Sequence, residues 1–112
     1  MWNYEVASGQ ISSGITLNAD YMSVYAGGTA TGTMVSSEGV LWVFSGGTAN
    51  NTRVNWGELY VFDGGMATGT TINDGGDMSV SAGGTATSTT VNSGGELYVA
   101  DYGTAQDRKS VV

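Results

Sequence analysis

Apolar and polar positions along the chain alternate in short bursts separated by glycine. The clearest bursts are Glu58-Leu59-Tyr60-Val61 and Glu96-Leu97-Tyr98-Val99, which alternate with a period of two. That period sends successive side chains to opposite faces of a strand, so inward Leu and Val leave the aromatic between them pointing out. The inward columns predicted this way are Met22, Leu41, Leu59, Met78, Leu97 and Val24, Val43, Val61, Val80, Val99. A second extended piece in each unit supplies Val35, Val54, Ile72 and Val91 as a third column. Ala30, Ala49, Ala67 and Ala86 form a fourth, where only a small side chain fits. The Ala and Val positions differ in parity, which predicts a bend or bulge between them at Gly32 and Gly69. Helix is disfavoured, since each glycine in a helix interior costs about 1 kcal/mol.

These bursts belong to an internal repeat. Gly27-Gly28-Thr29-Ala30 returns as Gly46-Gly47-Thr48-Ala49, Gly64-Gly65-Met66-Ala67, Gly83-Gly84-Thr85-Ala86 and Tyr102-Gly103-Thr104-Ala105, at offsets of 19, 18, 19 and 19 residues. The copies run 9–26, 27–45, 46–63, 64–82 and 83–101, with a partial copy at 102–105; Tyr4 to Ser8 reads as the tail of an earlier one. Both 18-residue copies lack a Gly at the same turn: Asn55-Trp56-Gly57-Glu58 stands where Asn73-Asp74-Gly75-Gly76-Asp77 is complete. A piece of four or five residues cannot bury its apolar face alone, whereas identical units stacked at the roughly 4.8 Å strand spacing share a continuous core. The predicted fold is therefore all-β, a parallel β-helix or β-solenoid of about five rungs of 18–19 residues, a fragment without caps. After Ala105 the pattern stops. Residues 106–112 hold two of the three basic residues, and Asp107 to Val112 matches the peptide obtained by translating a short-read sequencing adapter. This tail is expected to be non-native.

Composition narrows the function. There are 19 Gly, no Pro, and no G-X-Y period, which excludes collagen, while the recurrent strand formers exclude a disordered linker. The net charge of −7 argues against nucleic acid and against docking on anionic lipid. Neither Cys nor His occurs, so disulfides, thiolate metal sites, a Cys nucleophile and a His base are excluded. No apolar run is long enough to span a bilayer as a helix, and the start has no signal-peptide pattern. Carboxylates fall about one per rung instead of converging, so neither an enzyme nor a cofactor is expected.

The consensus G-G-T-A-x-x-T-x-V-N-x-G-G-x-L-x-V over Gly9 to Ala105 resembles the strand-loop-strand repeats of AIDA-type autotransporter adhesin passengers. The resemblance implies a bacterial cell-surface, extracellular location and export through a C-terminal β-barrel outside this chain. It further implies adhesion to host-cell or bacterial surface receptors, or self-association, by multivalent contact, with O-heptosylation of loop Ser by a glycosyltransferase. Ser93 in the V-x-S-G-G turn, Ser37 at the same place in the turn Val35-Ser36-Ser37-Glu38-Gly39, and Ser45 before a Gly pair match the acceptor pattern. The alternative function is a carbohydrate-binding or carbohydrate-processing surface protein whose active domain lies elsewhere.

Other features have two readings. Outward Trp42, Tyr60 and Tyr98, with Tyr25, Phe44 and Phe62 two residues after the same strand position, form a candidate contact surface, or pack laterally within a longer, wider solenoid, or alternate so that the next column turns inward. Ser23 and Ser79 interrupt the first of these stripes. The rows Thr29-x-Thr31-x-Thr33 and Thr85-x-Thr87-x-Thr89 are expected to serve cross-rung pairing rather than ice binding, with the third Thr facing inward. Glu58, Asp77 and Glu96 in one turn column, and Asp63 and Asp101 in another, are expected to keep a solvated face self-repelling; no metal site is expected.

Overall fold

A computed structural model of the chain describes residues 3–100, 104–106 and 109–110. Within it three parallel sheets of six strands each wrap one core. The first sheet stacks Asn3–Val6, Tyr21–Val24, Val40–Val43, Glu58–Val61, Asp77–Val80 and Glu96–Val99. The second stacks Ile11–Ser13, Thr29–Thr31, Thr48–Asn50, Met66–Thr68, Thr85–Thr87 and Thr104–Gln106. The third stacks Thr16–Asn18, Met34–Ser36, Arg53–Asn55, Thr71–Ile72, Thr90–Val91 and Lys109–Ser110. Every strand pairs with its equivalent one repeat away, so the architecture is a β-solenoid of about five turns.

Each rung therefore has three strands where two extended pieces were predicted. The first piece folds at a corner between the second and third sheets. The expected bend is there, at Gly32 (φ +65°) and Gly69 (φ +72°), but it turns the chain onto a new sheet. A left-handed residue reverses the side-chain parity at that point, which is how Ala and Val of opposite parity both reach the core. The same corner is made by Asn51 (φ +55°) and Ser88 (φ +58°), where glycine is absent.

The core is the set of columns predicted from alternation. Met22, Leu41, Leu59 and Met78 are buried, as are Val24, Val43, Val61 and Val80, the alanines, and Leu17, Val35, Val54, Ile72 and Val91. Leu97 and Val99 pack against this core only partly buried. At about 25 cal/mol per Å² of apolar surface removed from water, each fully buried Leu or Val contributes roughly 1.5–3 kcal/mol. A rung in isolation has no opposing face to bury these side chains against.

Glycine pairs join the first sheet to the second. The second Gly of each pair packs directly on the rung before: a Cβ on Gly47 would sit 2.6 Å from Val24 O, and one on Gly65 2.7 Å from Val43 O. The first Gly carries a positive φ, and its amide links the turns into a column. Gly27 N–H donates to Gly46 O (3.0 Å), and Gly46 N–H to Gly64 O (2.9 Å). On the other side, between third and first sheets, Asn92 Nδ2 donates to Asn73 Oδ1 (2.7 Å). In the two 18-residue copies this turn is made by one left-handed residue, Ala19 (φ +57°) or Trp56 (φ +54°), in place of a longer glycine turn.

The expected non-repeat tail falls mostly outside the described residues, as does Asp101. Of 106–112, the backbone of Gln106 pairs with Thr87, and that of Lys109–Ser110 with Thr90–Val91.

Candidate contact surface

The outer face of the first sheet carries the aromatic side chains. Alternation sends residues 21, 23, 40, 42, 58, 60, 77, 79, 96 and 98 outward, and the parallel register lines them up as Tyr21↔Val40↔Glu58↔Asp77↔Glu96 and Ser23↔Trp42↔Tyr60↔Ser79↔Tyr98. Tyr25, Phe44 and Phe62 follow at the strand ends.

Most of these rings meet. Tyr21 stacks on Trp42 with centroids 5.5 Å apart and planes 2° from parallel. Tyr25 stacks on Phe44 at 5.4 Å, and Phe44 on Phe62 at 5.2 Å. Tyr60 lies beside Phe62, which follows the end of its strand, at 6.3 Å, its plane turned by 14°. These separations are those of favourable ring pairs, and the strand spacing sets those between neighbouring rungs. Trp42, Phe44, Tyr60 and Phe62 are half-buried, so each ring covers its neighbours and keeps an edge in solvent. Ser23 is only 6% exposed although it points outward, because it sits between Tyr21 and Tyr25 and next to Trp42 in register.

Of the residues singled out in the sequence, Trp42, Phe44, Tyr60 and Phe62 lie in one patch with Tyr25. Tyr98 stands apart: Ser79 separates it from Tyr60, and it is 69% exposed. Tyr21 was missed as a member because it occupies the column that holds acids from Glu58 onward. Its outward parity, two residues before Ser23, was the available signal. Trp56 was read only as a turn residue, yet its ring is 64% exposed and lies against Gly75 of the next rung.

The carboxylates Glu58, Asp77 and Glu96 begin the strands of the first sheet, in direct register beside the aromatic column. Burial raises the Tyr60 phenol above the usual tyrosine range, helped by its hydrogen bond to Glu58 and by the Glu58 and Asp77 charges. Next to the opposite end of the patch, Tyr25 OH donates to Glu5 Oε2 (3.4 Å).

The three serines do not cluster. Ser37 (φ +47°) and Ser93 lie exposed in turns between the third and first sheets, while Ser45 lies exposed between the first and second. The Ser45 hydroxyl faces Gly64 of the next rung, where any Cβ would come within 2.5 Å of it. The third threonine of each row points inward as expected: Thr33, Thr52, Thr70 and Thr89 are buried.

Comparison with known proteins adds a family and a structure. The family model described as "Adhesin of bacterial autotransporter system, probable stalk" matches residues 54–95. A crystal structure of a TibC-catalysed hyper-glycosylated TibA fragment is similar to this chain with a TM-score of 0.81 and 44% sequence identity. The match covers 85% of this chain and 35% of that one, so the chain spans about a third of that fragment's length. No curated protein sequence matches significantly.

Proposed function

Because the chain belongs to the AIDA-type autotransporter adhesin passengers, which are exposed at the bacterial cell surface, we propose that it is a stiff adhesive stalk segment acting through many weak contacts. The observation that carries this reading is the stacked ring surface of Tyr21, Tyr25, Trp42, Phe44, Tyr60 and Phe62 on one face of a regular rod. Half-exposed aromatics bury large areas against a partner at low cost in side-chain entropy. Repetition along a rod converts several weak contacts into strong attachment, because later contacts form at high effective concentration. The partners are receptors on host or bacterial surfaces, or sister rods. The carboxylates fall in register one per rung and do not converge, so we assign the segment no catalytic step.

Ser37, Ser45 and Ser93 are proposed acceptors for O-linked sugar. All three hydroxyls are exposed on turns, and the similar TibA fragment is hyper-glycosylated by TibC. Peptide mapping by mass spectrometry after coexpression with a glycosyltransferase of that kind should find sugar on these residues. Modification confined to other serines would refute the assignment.

Beads coated with the 112-residue chain test the adhesive role. They are expected to clump or to bind cells, and a Trp42→Ser, Phe44→Ser, Phe62→Ser variant with an unchanged circular dichroism spectrum should lose most of that activity. Undiminished attachment by the folded variant would rule out the aromatic face as the adhesive surface.

A further inference from the structure

The ring ladder on the first sheet has a gap. In the column Trp42, Tyr60, Ser79, Tyr98, the serine replaces one aromatic with a side chain too short to reach the level of its neighbours' rings. The residues on either side are two rungs apart, about 9.6 Å at the usual strand spacing. Stacked rings within this same face sit 5.2–5.5 Å apart, so the gap has the height of one inserted planar group. The orientation of Tyr60 also fits. Phe62 stacks along the rod on Phe44, and Tyr60 lies within 14° of the plane of Phe62, so Tyr60 turns a ring face towards the empty level.

A groove of about 160 Å³ occupies this place, lined by Tyr60, Ser79, Tyr98, Glu58, Asp77 and Glu96. It is smaller than the roughly 300–1,000 Å³ of small-molecule sites, and suits a single side-chain head group rather than an oligosaccharide. One wall is a row of three carboxylates in register, with Asp77 on the same rung as Ser79. Among the described residues no basic side chain lines the groove.

We propose that this slot binds an arginine side chain presented by a partner protein, with the guanidinium inserted between Tyr60 and Tyr98 over Ser79 and paired with Asp77. A guanidinium is planar, stacks on aromatic faces and offers a donor fork that matches a carboxylate. An ammonium has the charge without the plane, and a neutral ring has the plane without the charge. The chain's net charge of −7 favours a basic foreign surface over a second copy as the source of this cation. The proposal deepens the adhesive reading, on which it rests only for the existence of a protein partner.

The test is a nuclear magnetic resonance titration of the whole 112-residue chain with capped Gly-Arg-Gly, Gly-Lys-Gly and Gly-citrulline-Gly. Arginine peptide should shift the Tyr60, Ser79 and Tyr98 resonances with millimolar affinity, lysine should bind at least about fivefold more weakly, and citrulline should leave them unmoved. Added salt should weaken the arginine complex. Asp77→Asn should cut affinity about tenfold. Ser79→Tyr, which restores the ring found in the same column at Tyr60 and Tyr98, should fill the slot and abolish binding without unfolding the chain. Equal binding of citrulline, undiminished binding by Ser79→Tyr, or shifts centred elsewhere would overturn the proposal. Bead clumping that persists when arginine fails to bind would separate that failure from failure of the adhesive reading.

Discussion

Four threonine hydroxyls, those of Thr33, Thr52, Thr70 and Thr89, end inside the corner between the second and third sheets without a hydrogen-bond partner among the described residues. Leaving a buried hydroxyl unpaired costs about 1–3 kcal/mol. The first rung places Ile15 at the equivalent corner position, partly buried against the core, so the site accepts an apolar side chain. Thr52→Val is accordingly expected to stabilise the rod by about 1 kcal/mol. Urea denaturation should show a higher midpoint at unchanged slope, and a lower midpoint would contradict the account. Trp56 shows the opposite tension. Its left-handed backbone costs an ordinary residue about 1–2 kcal/mol, and its ring occupies the space a Cβ on Gly75 would need. Gly75 has φ +75°, so Gly75→Ala suffers both backbone strain and overlap. It should destabilise by about 2 kcal/mol or more, and the penalty should shrink in a Trp56→Gly background. Additive effects of the two changes would show that ring and glycine do not couple.

Strands of two to four residues hold together only through their neighbours, so the turns that set rung spacing are as important as the strands. The second Gly of each pair is the strictest position, because the atom it faces is a backbone carbonyl that cannot step aside. Gly47→Ala should therefore cost on the order of 3 kcal/mol, measurable as a fall in thermal midpoint, whereas Ala100→Gly, between no such pair, should cost well under half of that. The first sheet also carries a pH dependence. The folded pKa of Tyr60 is raised by burial, by its hydrogen bond to Glu58 and by the Glu58 and Asp77 charges. The native state thus holds that proton more tightly than the unfolded chain. The associated stability is whole below about pH 10, the ordinary tyrosine value, and is lost as pH rises through the folded value. Tyr60→Phe should make the decline in stability above about pH 10 shallower; an unchanged slope would remove Tyr60 as its source.

At the scale of the molecule, every sheet repeats one register, and among the described residues each strand pairs with its equivalents on the neighbouring rungs. Removing residues 46–63, one whole turn, should leave the remaining pairing intact and lower stability by roughly one rung's share. A circular dichroism spectrum of unchanged shape with a lower denaturation midpoint would fit, and collapse of the spectrum would not. The inward columns and the stacking were legible because a two-residue alternation at Leu59 and Val61, repeated every 18–19 residues, leaves apolar faces that only stacking can bury. The sidedness of the aromatics followed from the same parity. The third sheet was not legible, since Thr71–Ile72 and Thr90–Val91 are too short to display a period of their own. Nor were the left-handed corners at Asn51 and Ser88, which have no glycine to announce them and are forced by the turns stacked around them. Which rings meet also depended on the fold: Trp42 stacks on Tyr21 across a diagonal, although Tyr60 stands opposite it in register. The chain alone determined that it must stack and which side chains it must bury, because periodicity and burial are properties of local order. The three-sided cross-section, the ring contacts and the gap at Ser79 were decided by the tertiary structure, because they depend on distances between residues a full turn apart.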